Sequence, residues 1–343
     1  MQYTLRTMAA IASKVANVKS RLPILRGIAF DGKQAMVTDL ETYITFPFIT
    51  AFRGVLPISI LKKALKGKPK AITLETDHLA IDGGKLHFEA LPLDDFPLSP
   101  DAQSKRFKPI GIWDNFKQLA AMTAYVSKDE LKPSLLGVYI HQAKGAIETA
   151  ATDGHRLRVV KNVPADWRRE FEGILPATTM RWLDKFGPAE VSLNDTYIRF
   201  AFADLTVTVR LIDERYPDYA SVIPKDFTGS MEFDRVEMLA AVEKALAFAD
   251  TTTKQGEINT GDMQITATDQ KYGPHEYQWE ATLPGTRQGE PILIGFNLAY
   301  LATVLKGMEA ETVAWQYNSP ISAGVFTDGP DSSTLLMPFR LND

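Results

Sequence analysis

The stretch ETAATDGHRL, residues 148–157, runs from an apolar segment into a Thr-Asp pair and then a glycine, a histidine and an arginine. Asp153, His155 and Arg156 stand within four positions, a spacing that suits either an active site or a turn that carries something else. The pair is not unique. QAMVTDLE holds Thr38-Asp39 and QITATDQK holds Thr268-Asp269, at intervals of 114 and 116 residues. A second marker, a short apolar strand leading into a helix, recurs as GVLPISILKKALKG from Gly54, GILPATTMRWLDKFG from Gly173 and PILIGFNLAYLATVLKG from Pro291. A third pairs DDFPLSP at 94–100 with ERYPDYA at 214–220. Markers in a constant order define a threefold repeat.

Each repeat is halved again, because an amphipathic helix followed by alternating strands occurs twice. The spacing predicts first-half helices near 8–18, 113–124 and 234–248, and second-half helices near 58–67, 178–187 and 296–308. Leu298, Leu301, Ala302 and Leu305 share one face of the last of these. VSLNDTYIRFAFADLTVTVRLI alternates apolar and polar residues around turn formers and reads as antiparallel hairpins. Six helix-plus-sheet units result, and units joined edge to edge give a continuous sheet with its helices on one surface, an arc or a ring. LSPDAQSKRFKP near 98–109 and SVIPKDFTGS near 221–230 read as joints.

A length of 343 residues fits two or three domains. Hydrophobic content of 45%, charged content of 23% and mean hydropathy of -0.12 describe a soluble globular protein. The absence of cysteine excludes disulfides and thiolate metal sites and points to the reducing cytoplasm. The first twenty residues lack the apolar core of a signal peptide, and no apolar run reaches the ~18 residues that span a bilayer. A cytoplasmic protein without a membrane partner is expected.

The net charge of -4 argues against a protein that coats nucleic acid by bulk charge, but the charge is unevenly distributed. The six helix windows together carry +5 and the rest of the chain -9, with Lys62, Lys63 and Lys66 dominant. A lysine on an amphipathic helix ordinarily occupies its wet face. The pooled asymmetry adds a positive, helix-lined surface suited to a phosphate backbone.

The repeat answers half of the opening question: Thr-Asp stands at the same place in all three units, so Asp153 belongs to a strand-ending turn, where aspartate bonds nearby amides. His155 has no catalytic or metal-binding partner at a recognised spacing, and His78, His87, His141 and His275 form no H-x-x-x-H pair. No catalytic residue, metal site or cofactor is expected.

ATDGHRL, together with ERYPDYASVIP, LLGVYI, IGFNLAYLATVLKG, the terminal LMPFRL and the early LPILRGIAF and LPLDDFP, resembles the bacterial sliding clamp family, the beta subunits of DNA polymerase III. The resemblance spans essentially the whole chain. It implies an α+β DNA clamp fold of three similar domains, 1–105, 106–224 and 225–343, each built from two helix-plus-antiparallel-sheet units. It also implies a non-catalytic, head-to-tail homodimer that closes six units into a ring, helices inside, around duplex DNA without reading its sequence. A cleft between the second and third domains would receive the polymerase III catalytic subunit, the clamp loader and other proteins carrying clamp-binding motifs.

The matching cleft positions are Leu135, Thr152, Gly154, His155, Arg156 and Leu157, then Pro217 and Val222, and finally Leu335, Met337, Pro338, Phe339 and Arg340. Met337 would adapt to varied partners and Arg156 or His155 would bond their polar groups. The DNA-facing set is Lys14, Lys62, Lys63, Lys66, Lys132, Arg181 and Lys185, and the dimer positions are Leu86, Phe88 and Phe248. The sequence departs from the family at Ser221, where many clamps carry arginine, at Phe339, commonly methionine, at Pro133 and Ser134, where aromatic residues are usual, and in its terminal Asn342-Asp343. These departures leave the partner motif open and suit a specialised or mobile-element clamp. Two other readings remain at this point: an enzyme built on Asp153 and His155, and a repeat scaffold that does not encircle DNA.

Overall fold

A computed structural model describes residues 4–16, 20–100, 106–143, 145–164, 166–269 and 277–341. The joint expected near 98–109, the end of the first expected helix, His275 and Asn342-Asp343 extend outside those residues. The first third of the chain forms α1 (Leu5–Ala12), β1 (Gly27–Phe30), β2 (Gln34–Thr38), β3 (Thr42–Pro47), β4 (Gly54–Pro57), α2 (Ile58–Leu65), β5 (Ile72–Leu74), β6 (His78–Ile81) and β7 (Gly84–His87). The second forms β8 (Lys108–Trp113), α3 (Phe116–Met122), β9 (Gly137–Ala143), β10 (Ala146–Thr152), β11 (Arg156–Val160), β12 (Asp166–Trp167), β13 (Phe171–Pro176), α4 (Ala177–Leu183), β14 (Ala189–Leu193), β15 (Tyr197–Ala201) and β16 (Thr206–Arg210). The third forms β17 (Gly229–Asp234), α5 (Arg235–Phe248), β18 (Gln255–Asn259), β19 (Gln264–Asp269), β20 (Tyr277–Thr282), β21 (Thr286–Gly289), β22 (Leu293–Asn297), α6 (Leu298–Lys306), β23 (Thr312–Tyr317), β24 (Gly324–Thr327) and β25 (Ser332–Leu336). A helix, three strands, a lead-in strand, a second helix and three strands therefore recur in each third, with β12 and β21 as additional strands before the lead-in strands of the second and third.

The helices begin where their caps dictate. Asp234 accepts from the amides of Val236 and Glu237 at the head of α5, and Asn297 accepts from that of Tyr300 at the head of α6. Thr4 caps α1 by accepting from the Thr7 amide, so this helix starts three residues before the expected position 8. It also ends early: the Ser13 hydroxyl bonds back to the Ala9 carbonyl, and Lys14 lies in the turn beyond the helix.

The chain divides into two compact units, Met1–Ala120 with Gln142–Gly145 and Pro164–Asp213, and Ala121–His141 with Ala146–Val163 and Glu214–Asp343. In the first, an antiparallel sheet runs β4-β1-β2-β3-β16-β15-β14-β8-β12, beside the smaller sheet β5-β6-β7. In the second, one sheet runs β9-β10-β11-β25-β24-β23-β17-β21 and another β20-β19-β18-β22. The units do not follow the thirds of the sequence because the sheets cross them. β3 pairs with β16, Tyr43 opposite Thr208, and β11 pairs with β25, Leu157 opposite Leu335. Each seam joins the last strand of one third to the third strand after the first helix of the third preceding it.

Aromatic residues fill both cores. In the first unit Phe116 packs edge-on against Phe200 at 5.3 Å, and the hydroxyls of Thr42 and Thr179 share a buried hydrogen bond of 2.7 Å that ties β3 to α4. In the second, Trp315 stacks on Phe326 at 5.7 Å, with Phe296 edge-on to both. Full burial of each such ring contributes about 1.5–3 kcal/mol.

Candidate functional site

The Thr-Asp pairs build one turn twice. After β2, Thr38 Oγ1 accepts from the Leu40 amide and Asp39 Oδ1 from those of Glu41 and Thr42, at 2.8, 3.1 and 2.7 Å. After β10, Thr152 Oγ1 accepts from Gly154 and Asp153 Oδ1 from His155 and Arg156, at 3.0, 2.9 and 3.0 Å. The third residue of the turn is left-handed in both, Leu40 at φ 81° and Gly154 at φ 90°. Glycine adopts that conformation freely, whereas leucine pays about 1–2 kcal/mol. The third pair, Thr268-Asp269, ends β19, and the residues that follow it up to position 277 lie outside those described.

In the second copy this turn opens onto the end of the chain. The Met337 amide donates to the His155 carbonyl at 2.8 Å, and that of Phe339 to Gly295 at 2.7 Å, so the segment after β25 passes from the turn to β22. The Leu341 side chain fills the space a Cβ at Gly295 would need. His155 is exposed and its ring lies over Tyr300 at 6.0 Å.

Arg156 is committed within the chain. Its Nε donates to Asp153 Oδ2 at 3.0 Å and its Nη2 to the Ala124 carbonyl at 2.7 Å. Its guanidinium also lies 4.4 Å from the Tyr300 ring centre and 5.4 Å from that of Tyr125. Arg156 therefore braces the turn, its side chain and that of Asp153 being only 10% and 12% exposed, while its Nη1 has no hydrogen-bond partner among the described residues. Asp153, with both oxygens engaged, is unsuited to act as a base.

The apolar positions split by exposure. Leu135, Leu157 and Leu335 are buried, Thr152 and Pro338 are half-buried, and Gly154, Pro217 and Arg340 are exposed. Val222, Met337 and Phe339 expose 59%, 47% and 36% of their surface, so with Pro217 they are the apolar groups available to a partner. Pro217 and Val222 belong to a segment held against β9 and β10: Tyr216 stacks on Tyr139 at 4.8 Å and the Tyr219 hydroxyl donates to the Glu148 carboxylate. Burial pushes both phenols well above their ordinary range, and the Glu148 carboxylate pushes Tyr219 further, so both remain neutral wall residues.

Lys62 and Lys63 occupy the last turn of α2 and Lys66 follows it, all exposed on the face opposite buried Ile58, Leu61 and Ala64. Arg181 lies on α4 and Lys185 just beyond it, also exposed. Lys14 is exposed after α1, and exposed Lys132 sits 4.0 Å from Asp129.

The remaining positions fall on two sheet ends. Leu86 lies on β7, whose four residues are all exposed, and Phe88 follows it with its ring 5.6 Å from that of Phe52. Phe248 ends α5 and stacks on Trp279 of β20 at 6.0 Å and 9°. Trp279, absent from the expected set, carries no repeat marker, and only the sheet pairing assigns it to an end strand. A cross-strand pair, His78 opposite His87, was also missed by a search for helical histidine spacing. The Asp82-Gly83 turn between alternating runs was the available signal, because a two-residue hairpin fixes which residues face each other.

Two family models match. Residues 114–218 match the central domain, and residues 220–340 the C-terminal domain, of the DNA polymerase III beta subunit. The beta sliding clamp of Synechococcus elongatus is 30% identical over 375 residues, covering 99% of this chain and 98% of that protein. That of Escherichia coli K12 is 26% identical over 285 residues, covering 80% and 77%. Among solved structures, the DNA polymerase III beta subunit of Thermotoga maritima matches with a TM-score of 0.84 at 23% identity, covering 98% of this chain and 97% of that one. The DNA polymerase sliding clamp of Pseudomonas aeruginosa matches with a TM-score of 0.81 at 22% identity, covering 99% of each.

Proposed function

The chain belongs to the beta sliding clamp family and functions as a sliding clamp, and from that premise we propose that two copies close head to tail into a ring around duplex DNA through β7 of one and β20 of the other. The two seams carry this reading. β3 meets β16 and β11 meets β25. The strands at corresponding places in the repeat, β20 and β7, each end a sheet within one chain. Neither has a buried residue among those whose side chains are described, unlike the strands at the seams. Unpaired strand edges seek partners, and one more seam of the same kind at each junction removes both in a dimer.

The ring consists of three domains per chain, 1–105, 106–224 and 225–343, a division supported by the family models for the central and C-terminal domains. Lys14, Lys62, Lys63, Lys66, Lys132, Arg181 and Lys185 face the DNA and neutralise phosphates without reading bases. Polymerase III, the clamp loader and other partners dock apolar anchors on Val222, Met337 and Phe339, beside the His155 turn. In this reading the clamp is a non-catalytic, cytoplasmic subunit, and Asp153 serves its turn and Arg156. Among the described residues no helix is long and apolar enough to cross a membrane.

Loading the protein onto nicked circular DNA and then linearising the circle tests the ring. A clamp stays on the circle in high salt and leaves once free ends exist. Retention on the linear product, or salt-sensitive loss from the closed circle, overturns the encircling reading.

A further inference from the structure

The β6–β7 hairpin carries a group of side chains that the clamp reading does not use. Asp82 and Gly83 take φ values of 44° and 85°, the positive pair of a tight hairpin turn, and the resulting register sets His78 directly across from His87. Their ring centres are 5.2 Å apart. Both rings direct Nδ1 at Asp77, His78 at 2.7 Å from Oδ1 and His87 at 3.9 Å from Oδ2. Donor atoms of all three residues lie within 4.8 Å of one another, and no other such group occurs among the described residues.

We propose that Asp77, His78 and His87 bind one divalent transition-metal ion of the zinc class, with water completing the coordination. Two imidazole nitrogens and a carboxylate oxygen form a donor set that such ions favour, whereas magnesium and calcium select oxygen ligands. Metal–ligand bonds of about 2.0–2.1 Å in a tetrahedron place neighbouring donors roughly 3.3 Å apart. The separations of 2.7 and 3.9 Å lie on either side of that distance. The His78 side chain is 13% exposed and forms the fixed member, while Asp77 and His87 are 72% and 67% exposed and have room to rotate onto a shared ion. Without an ion, the same geometry is an aspartate between two imidazoles, and the experiment separates the two states. All three ligands come from one chain, so the site does not depend on ring closure, although His87 lies on the strand proposed to close the ring.

The test uses untagged, chelator-treated protein titrated with Co²⁺, followed by its visible d–d absorption, and with Zn²⁺ by calorimetry. One ion per chain is expected, with binding unaffected by excess Mg²⁺. His87→Ala and Asp77→Asn, both at exposed positions and checked for folding by circular dichroism, should each weaken binding by at least about tenfold. His141→Ala and His155→Ala should bind as the parent does. Failure of the folded parent protein to bind either ion, or equal binding by the parent and folded His87→Ala, overturns the assignment.

Discussion

Replacing Arg156 with alanine removes a brace that meets three parts of the second unit at once. The side chain bonds Asp153 at 3.0 Å and the Ala124 carbonyl at 2.7 Å, and lies 4.4 Å from the Tyr300 ring. Hydrogen bonds to charged groups contribute about 1.5–3 kcal/mol each, and breaking a buried ion pair costs about 3–5 kcal/mol. These contributions overlap, and Asp153 keeps its two backbone amides after the change, so the lower figure, about 3 kcal/mol, is the expected loss. Native-state hydrogen exchange suits a chain of two units, because it reads the neighbouring amides directly without assuming a single unfolding step. At 1.4 kcal/mol per tenfold, protection in β11 and β25 should fall by roughly a hundredfold. Lysine keeps the charge but not the planar fork, so Arg156→Lys should recover only part of it. Unchanged protection combined with lost partner binding would falsify the bracing role and make Arg156 a ligand group.

Full burial of a methionine contributes about 1.5–3 kcal/mol, so covering the 47% of Met337 that is exposed adds about 0.7–1.4 kcal/mol. Met337→Ala should therefore weaken a polymerase-derived clamp-binding peptide by about 3- to 10-fold in fluorescence anisotropy; unchanged affinity removes Met337 from the docking surface. Leu86→Asp combined with Phe248→Asp should give a folded monomer by light scattering, because charge would stand at both closing edges, and a persistent dimer contradicts closure through β7 and β20. A Cβ at Gly111 would lie 1.6 Å from the Asp166 carbonyl oxygen at φ +152°, so Gly111→Ala should separate β8 from β12 and lower the melting temperature. An unchanged melt would show that the backbone there relaxes easily.

The repeat was legible because its turns use side-chain chemistry that survives in the letters: a threonine and an aspartate cap the same amides after β2 and β10. The position of α6 was legible through its leucines, whereas the Asp234 and Thr4 caps that start α5 and α1 became visible only in the structure, and the Thr4 cap sets α1 three residues before the expected start. The seams were not legible. Tyr43 meets Thr208 and Leu157 meets Leu335 across main-chain hydrogen bonds that any alternating strand can make, so nothing in the letters selects the partner. The cleft residues came from family resemblance. Burial, which the letters do not carry, then sorts them: Leu157 is covered and the Arg156 side chain is only 10% exposed.

The β11–β25 seam has a consequence for the connection between the second and third repeats. Exposed Lys225 lies in the segment between Val222 and β17, and a single tryptic cut there would break one peptide bond and none of the five residue pairings from Arg156–Leu336 to Val160–Ser332. The two fragments should therefore elute together under native conditions and separate only in denaturant. Two polypeptides expressed apart and divided at this point should reassemble with a dependence on concentration that the intact chain lacks, and the same position should accept inserted residues with little loss of stability.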